Sequence, residues 1–206
     1  MELGPGSSAH GASDDGAEHS PDAVEFLDAA RRGDEEAWRQ IVALYGRRLF
    51  ALAKSRCGSA ELAEEVTQSV FATVARTLGS GGYREQGRFE SWLFRIAMNR
   101  IRDHARKSAR QATSTDPETL SRIADRRKDE GERDEALLQR LRAAMAKLGK
   151  ADREIVELRH HGEMSFKAMS ELLDEPLGTL LARHHRALRK LKSILEDDGG
   201  DEGSGS

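Results

Sequence analysis

FESWLFRIAMNRIRDHARK, residues 89–107, decides the fold class. Its residues Leu93, Ile96, Ala97, Ile101 and Ala105 recur every three or four positions, the period of a helix that buries one side. Arg95, Asn99, Arg102 and Arg106 recur on another side at the same period, and Arg110 extends that stripe just beyond the segment. The spacing predicts a helix over 89–110 with a core face and a cationic face. Guanidiniums along one stripe repel each other. Either local acids such as Glu90 and Asp103 offset them on a solvated face, or a phosphate backbone relieves the repulsion and releases counterions. Asn99, inside the stripe, can hydrogen-bond a base edge. Trp92 and Phe94 belong either to the core or to a platform for unpaired bases.

Helical periodicity continues on both sides of this segment. Upstream, Val24, Phe26, Leu27 and Ala30 mark a first helix that Gly33 stops. Asp34 can cap a second, whose apolar side includes Trp38, Ile41, Leu44, Tyr45, Leu49 and Leu52. After a break at Cys57-Gly58-Ser59 a third runs from Ala60 to about Leu78, striped by Leu62, Val66, Val70, Phe71 and Val74. Downstream, residues 111–134 lose the period and gain Ser, Thr, Pro and dense charge, the composition of a linker. A short helix over 120–127 fits inside it. Periodicity resumes at Ala136 with Leu137, Leu138, Leu141, Ala144, Met145 and Leu148. Three more helices follow, over about 151–160, 165–173 and 177–195. No two-residue alternation marks a strand. The expected fold is all-α: two small helical domains, 23–110 and 135–195, joined by a polar linker over 111–134.

Composition agrees. Aromatic residues are 5% of the 206 and charged residues 33%, which suits solvated helices and not a sandwich or barrel. No apolar run approaches the ~18 residues of a membrane span and no secretory signal opens the chain, so no membrane insertion and a cytoplasmic location are expected. One cysteine, Cys57, allows no internal disulfide and reads as a buried thiol. The net charge of −3 divides unevenly. Residues 1–22 carry five acids and no Lys or Arg, and residues 193–206 again carry five acids and none. Without those ten charges the body from 23 to 192 has a net +7, compatible with a polyanion. Residues 1–22 and 196–206 are too poor in large apolar groups to order themselves and read as acidic disordered tails.

Three other features bear on chemistry. Residues 166–190 pair two helices across the turn Asp174-Glu175-Pro176, a helix-turn-helix pattern or an ordinary helical hairpin. Leu177, Leu180, Leu188, Leu191 and Leu195 are expected to face inward. Thr179, Ala182, Arg183, Arg186 and Lys190 occupy a face suited to a major groove. On the third helix Glu61, Glu64, Glu65 and Gln68 form an acidic face, either merely solvated or docking a basic partner. The histidine pairs 160–161 and 184–185 splay by about 100° on a helix, so neither pair chelates well. No P-loop, nucleophile elbow, H-E-x-x-H or C-x-x-C is present, so no catalytic residue, metal or other cofactor is expected.

These elements together resemble the extracytoplasmic-function sigma factors of the sigma-70 family. AEEVTQSVF resembles the family's Ala-Glu-Asp-x-x-Gln-x-x-Phe through Ala63, Glu64, Gln68 and Phe71. Residues 89–107 resemble its Phe-x-x-Trp-Leu-x-x-Ile-Ala-x-Asn-x-x-x-Asp-x-x-Arg run through Phe89, Trp92, Leu93, Ile96, Ala97, Asn99, Asp103 and Arg106. A looser match covers Leu148, Arg153, Glu154, Leu158, Ser165, Leu173, Gly178, Thr179, Arg183, His185, Arg186 and Ala187. The chain departs from the family at Gly149, Ala168, Leu181-Ala182 and His184. Leu181-Ala182 offers apolar contact to a thymine methyl in place of hydrogen bonds.

The resemblance implies a sigma2-like and a sigma4-like domain and no enzyme activity. It implies core RNA polymerase, docked through Glu64, Glu65, Gln68 and Phe71, with Glu61 on the same face. It implies promoter DNA, the minus-ten element read and opened by Asn99, Arg102, Asp103, Arg106 and Lys107, with Arg95 and Arg110 on the same stripe. A base captured outside the stack costs least where DNA is already unpaired. The minus-thirty-five element falls to Thr179, Ala182, Arg183 and Arg186, with Lys190 beside them. Many family members are held inactive by an anti-sigma protein, and a monomer is expected for the free chain. Two rivals stand beside this reading: a stand-alone helix-turn-helix regulator, and, more remotely, a metal-dependent enzyme built on the histidines.

Overall fold

A computed structural model describes residues 21–112 and 132–197. The expected tails over 1–20 and 198–206, most of the linker, and the short helix over 120–127 lie outside the described residues. Within them the chain forms eight helices: α1 Pro21–Arg31, α2 Glu35–Cys57, α3 Ala60–Gly79, α4 Phe89–Ala112, α5 Glu132–Ala146, α6 Lys150–His160, α7 Phe166–Leu173 and α8 Leu177–Asp197. The edges of the expected tails and linker are helical: Pro21 and Asp22 open α1, α4 runs on to Ala112, α5 begins at Glu132, and Glu196 and Asp197 close α8.

Local chemistry sets the helix ends. The Asp34 carboxylate accepts from Ala37 N at 3.0 Å, satisfying an amide that has no partner inside α2. Gly58 ends α2 at φ 72°, a left-handed conformation that costs glycine least. Ser59 then caps α3 through Leu62 N at 3.3 Å. Ser165 caps α7 through Ala168 N at 3.1 Å, and Asp174 takes the left-handed position that turns the chain toward α8.

One core runs through most of the molecule. Ile41, Leu49, Leu52, Val70, Val74, Leu93 and Phe94 from α2–α4 pack in the same buried cluster as Ile155, Leu158, Met164, Met169 and Leu180 from the second half. A smaller cluster of Ala144, Leu148, Val156, Ala187 and Leu191 ties α5 and α6 to α8. The two halves therefore meet across an apolar seam, and the turn after α6 is fitted to it. A Cβ at Gly162 would stand 2.7 Å from Leu158 O and 3.1 Å from the Phe94 ring.

Some expected core positions face solvent. Leu177, at the first turn of α8, is 44% exposed because it precedes the first buried position, Leu180. Ala105 is exposed because α4 has passed the end of its packed face. Leu137, Leu138 and Leu141 are 59%, 45% and 38% exposed, and α5 instead buries Ala144.

Replacing Asp34 by alanine removes the α2 cap and is expected to lower stability by about 1 kcal/mol in urea unfolding, whereas Asp34→Asn, which keeps the acceptor, stays close to wild type.

Candidate functional site

The loop between α3 and α4 folds around Glu85. Its carboxylate accepts from the amides of Gly87 and Arg88 and from the Tyr83 hydroxyl, the last at 3.0 Å. Arg31 anchors the loop from α1 by donating to Tyr83 O at 2.7 Å. Burial and the bond to Glu85 push the Tyr83 phenol well above its usual range, so it stays protonated. The Tyr83 ring stacks on Trp92 with centroids 4.3 Å apart, and both pack near Phe89. Trp92 is thus neither wholly core nor a free platform; it is half-buried.

Beside that stack lies a cleft of about 200 Å³, walled by Tyr83, Arg84, Gln86, Arg88, Ser91, Trp92, Arg95 and, from α7, Glu171. An aromatic wall with arginines around it can hold a flat ring bearing an anionic backbone. The α4 stripe continues from Arg95 along the exposed positions Asn99, Arg102, Asp103, Arg106, Lys107 and Arg110. Arg106 leans toward Asp103 at 3.6 Å, both largely exposed, an arrangement that holds little energy. The upper part of the stripe is engaged. Arg95 donates to Glu171 O at 2.8 Å, and Arg102 to Glu154 at 2.9 Å.

On α3, Glu61, Glu64, Glu65 and Gln68 are exposed, and Gln68 donates to Glu64 at 3.3 Å. Phe71 is half-buried, near Gly46 of α2, and Val42 is exposed beside the same glycine. Apolar groups thus adjoin the acidic face. Val42 carries no sequence signal apart from its place on the apolar side of α2.

On α8, Thr179, Ala182, Arg186 and Lys190 are exposed. Arg183 is committed to Glu175, its two terminal nitrogens 3.0 and 2.8 Å from the two carboxylate oxygens, so it braces the turn. The histidines meet across helices: His160 Nε2 and His184 Nε2 are 3.2 Å apart, with rings stacked. Burial and neighbouring Arg159 lower the His160 pKa, favouring the neutral ring that such a contact needs. Among the described residues no group of three or more His, Cys, Asp or Glu could hold a metal. Cys57 is half-buried, and burial raises its thiol pKa, the opposite of an activated thiolate. No described helix is long and apolar enough to cross a membrane.

Sequence reasoning missed the residues that join the halves. Arg48 of α2 donates to Gly162 O at 2.8 Å and Glu163 O at 3.2 Å and pairs with Glu90. Arg56 reaches Glu157 at 2.6 Å, with side chains 20% and 5% exposed. Opposite charges at that distance form an ion pair shielded from most of the solvent. Burial raises the Glu157 pKa despite the opposing pull of Arg56. An isolated Arg or Glu in a helix gives no sign of a partner a hundred residues away.

Two family models match this chain: sigma-70 region 2 over residues 41–111 and sigma-70 region 4 over residues 138–191. Among curated relatives, the ECF RNA polymerase sigma factor SigE of Mycolicibacterium smegmatis is 30% identical over 168 residues, covering 79% of this chain and 64% of the relative. The ECF RNA polymerase sigma factor BldN of Streptomyces coelicolor is 28% identical over 177 residues, covering 85% and 66%. This chain spans just under two thirds of the length of both. The solved structure of CnrH in complex with the cytosolic domain of CnrY superposes with a TM-score of 0.59 at 25% identity, covering 86% of this chain and 99% of that one. The chain belongs to the sigma-70 family, in its extracytoplasmic-function class.

Removing Arg56 alone leaves Glu157 buried and unpaired. Arg56→Met is expected to cost about 2–3 kcal/mol in urea unfolding, less than the ~3–5 kcal/mol of a fully buried pair because Arg56 retains some water. The double variant Arg56→Met/Glu157→Leu is expected to regain most of that loss.

Proposed function

We propose that this chain is a cytoplasmic transcription-initiation factor that binds core RNA polymerase, directs it to promoters and helps open them. It performs no chemistry of its own. The observation that carries the reading is the aromatic cleft ringed by Arg84, Arg88 and Arg95, continuous with Asn99, Arg102, Asp103, Arg106, Lys107 and Arg110 of α4. Stacked aromatics suit an unpaired base, and guanidiniums suit the phosphates on either side of it.

The division of labour follows from the surfaces. Residues 23–110 act as the sigma2-like unit and 135–195 as the sigma4-like unit. The α3 carboxylates Glu61, Glu64 and Glu65, with Gln68 and the edge of Phe71, dock a basic surface of the polymerase, and Val42 adds apolar area. Thr179, Ala182, Arg186 and Lys190 of α8 enter the major groove of the upstream element. Arg183, tied to Glu175, orients that helix and reaches DNA only at its edge. An anti-sigma protein is a further partner in this reading, as the family membership implies; the similar protein CnrH is solved bound to another protein, the cytosolic domain of CnrY. The free chain acts as a monomer.

The test adds the purified chain to sigma-free bacterial core polymerase with a pool of bacterial genomic fragments. Transcripts from a subset of fragments that core alone ignores are expected, and identical transcription with and without the chain contradicts the reading. Arg106→Ala is expected to weaken promoter complexes on every selected fragment and to lower the slope of log affinity against log salt by about 0.7–0.9, one phosphate's worth. A loss confined to one base's identity would assign Arg106 to base reading.

A further inference from the structure

We infer that His160, at the end of α6, and His184, inside α8, form a two-histidine site for a divalent transition cation of the zinc class, a clip that fastens α6 to α8. The site shares no residue with the α4 cleft and stands whether or not the proposed function does. The two Nε2 atoms are 3.2 Å apart. The ring centroids are 5.3 Å apart with planes at 25°, so the rings turn their Nε2 edges toward each other. Two imidazoles that ligate one zinc at about 2.0–2.1 Å and a tetrahedral angle hold their nitrogens about 3.3 Å apart. The pair already has that spacing, and a tilt of the rings aims both lone pairs at one ion. Imidazole nitrogen suits zinc, nickel and copper, whereas magnesium and calcium take oxygen.

Buried neighbours fix both backbones before any ion arrives. Val156, one turn before His160, shares a buried cluster with Ala187, and Leu180 and Ala187 are buried one turn on either side of His184. The Phe166 ring meets His184 edge-on at 5.2 Å and walls one side. The adjacent cation, Arg159, is engaged elsewhere, donating to Met164 O at 2.9 Å and lying over Phe166 at 5.1 Å. His160 is exposed, which gives an ion a way in. Among the described residues no third His, Cys, Asp or Glu completes a cluster, so water fills the remaining positions. Without metal, one Nε2 carries the proton that the other accepts. Coordination uses both Nε2 lone pairs, so that proton moves to Nδ1 of its own ring and nothing is released or reduced. His184 lies about 200° around α8 from Ala182 and Arg186. The clip therefore braces the helix from behind its exposed face.

The experiment titrates the full chain with zinc chloride by calorimetry in a non-chelating buffer. Wild type is compared with His160→Gln, His184→Gln and the control His161→Gln/His185→Gln. Wild type and the control are expected to bind one zinc per chain with the same affinity, and each pair variant to bind it roughly tenfold more weakly or worse. As a variant-free readout, one equivalent of zinc is expected to shift the ring Nε2 resonances of His160 and His184 in long-range nitrogen spectra. At free zinc ten times the Kd, the folded-to-unfolded ratio in urea is expected to rise about tenfold in wild type and to stay unchanged in His160→Gln. Absence of a stoichiometric event in wild type overturns the site. Equal weakening in the control, or wild-type affinity in a folded pair variant, also overturns it and leaves adventitious binding by scattered surface histidines.

Discussion

A row of guanidiniums on one helix face has to be answered by negative charge. Arg95, Arg102 and Arg106 follow one another along α4 at helical spacing, and no pairing within α4 neutralises all three. Intramolecular partners answer the first two: the carbonyl end of α7 answers Arg95 and Glu154 of α6 answers Arg102. The third leans only on Asp103, in full solvent. This gradient, from engaged at the cleft to open at the far end, organises both the packing of the halves and the cationic surface left exposed.

The halves share apolar burial as well as charge. Phe94 packs against Gly162, and Met164 and Met169 complete a core begun by α2–α4. Hydrophobic burial supplies most of the energy of such a seam, while the polar pairs set its register. Opening it exposes that apolar surface and frees Arg48, Arg56 and Arg95 together.

The helices were legible because their signals are local. The Asp34 cap, the break at Cys57-Gly58-Ser59 and the apolar stripes of α2, α3 and α8 place element ends within a residue or two. The exposed faces over Glu61–Gln68 and Asn99–Lys107 followed from the same periodicity. What periodicity does not carry is contact between distant helices. Glu171 and Arg48 sit among many similar charges, and their roles come from a fold that brings residues more than seventy apart within 3 Å. Leu137 and Leu138 failed for the same reason, since an apolar stripe states a demand for burial and not its fulfilment. The histidine pairs were judged within each helix, whereas His160 and His184 meet across two.

The most direct measurement of the central claim is co-elution of the purified chain with sigma-free bacterial core polymerase at moderate salt, with a second sigma factor as competitor. The account predicts a stoichiometric complex that the competitor displaces. A folded chain that leaves core polymerase untouched while binding duplex DNA by itself would contradict it and make the chain a stand-alone DNA-binding regulator.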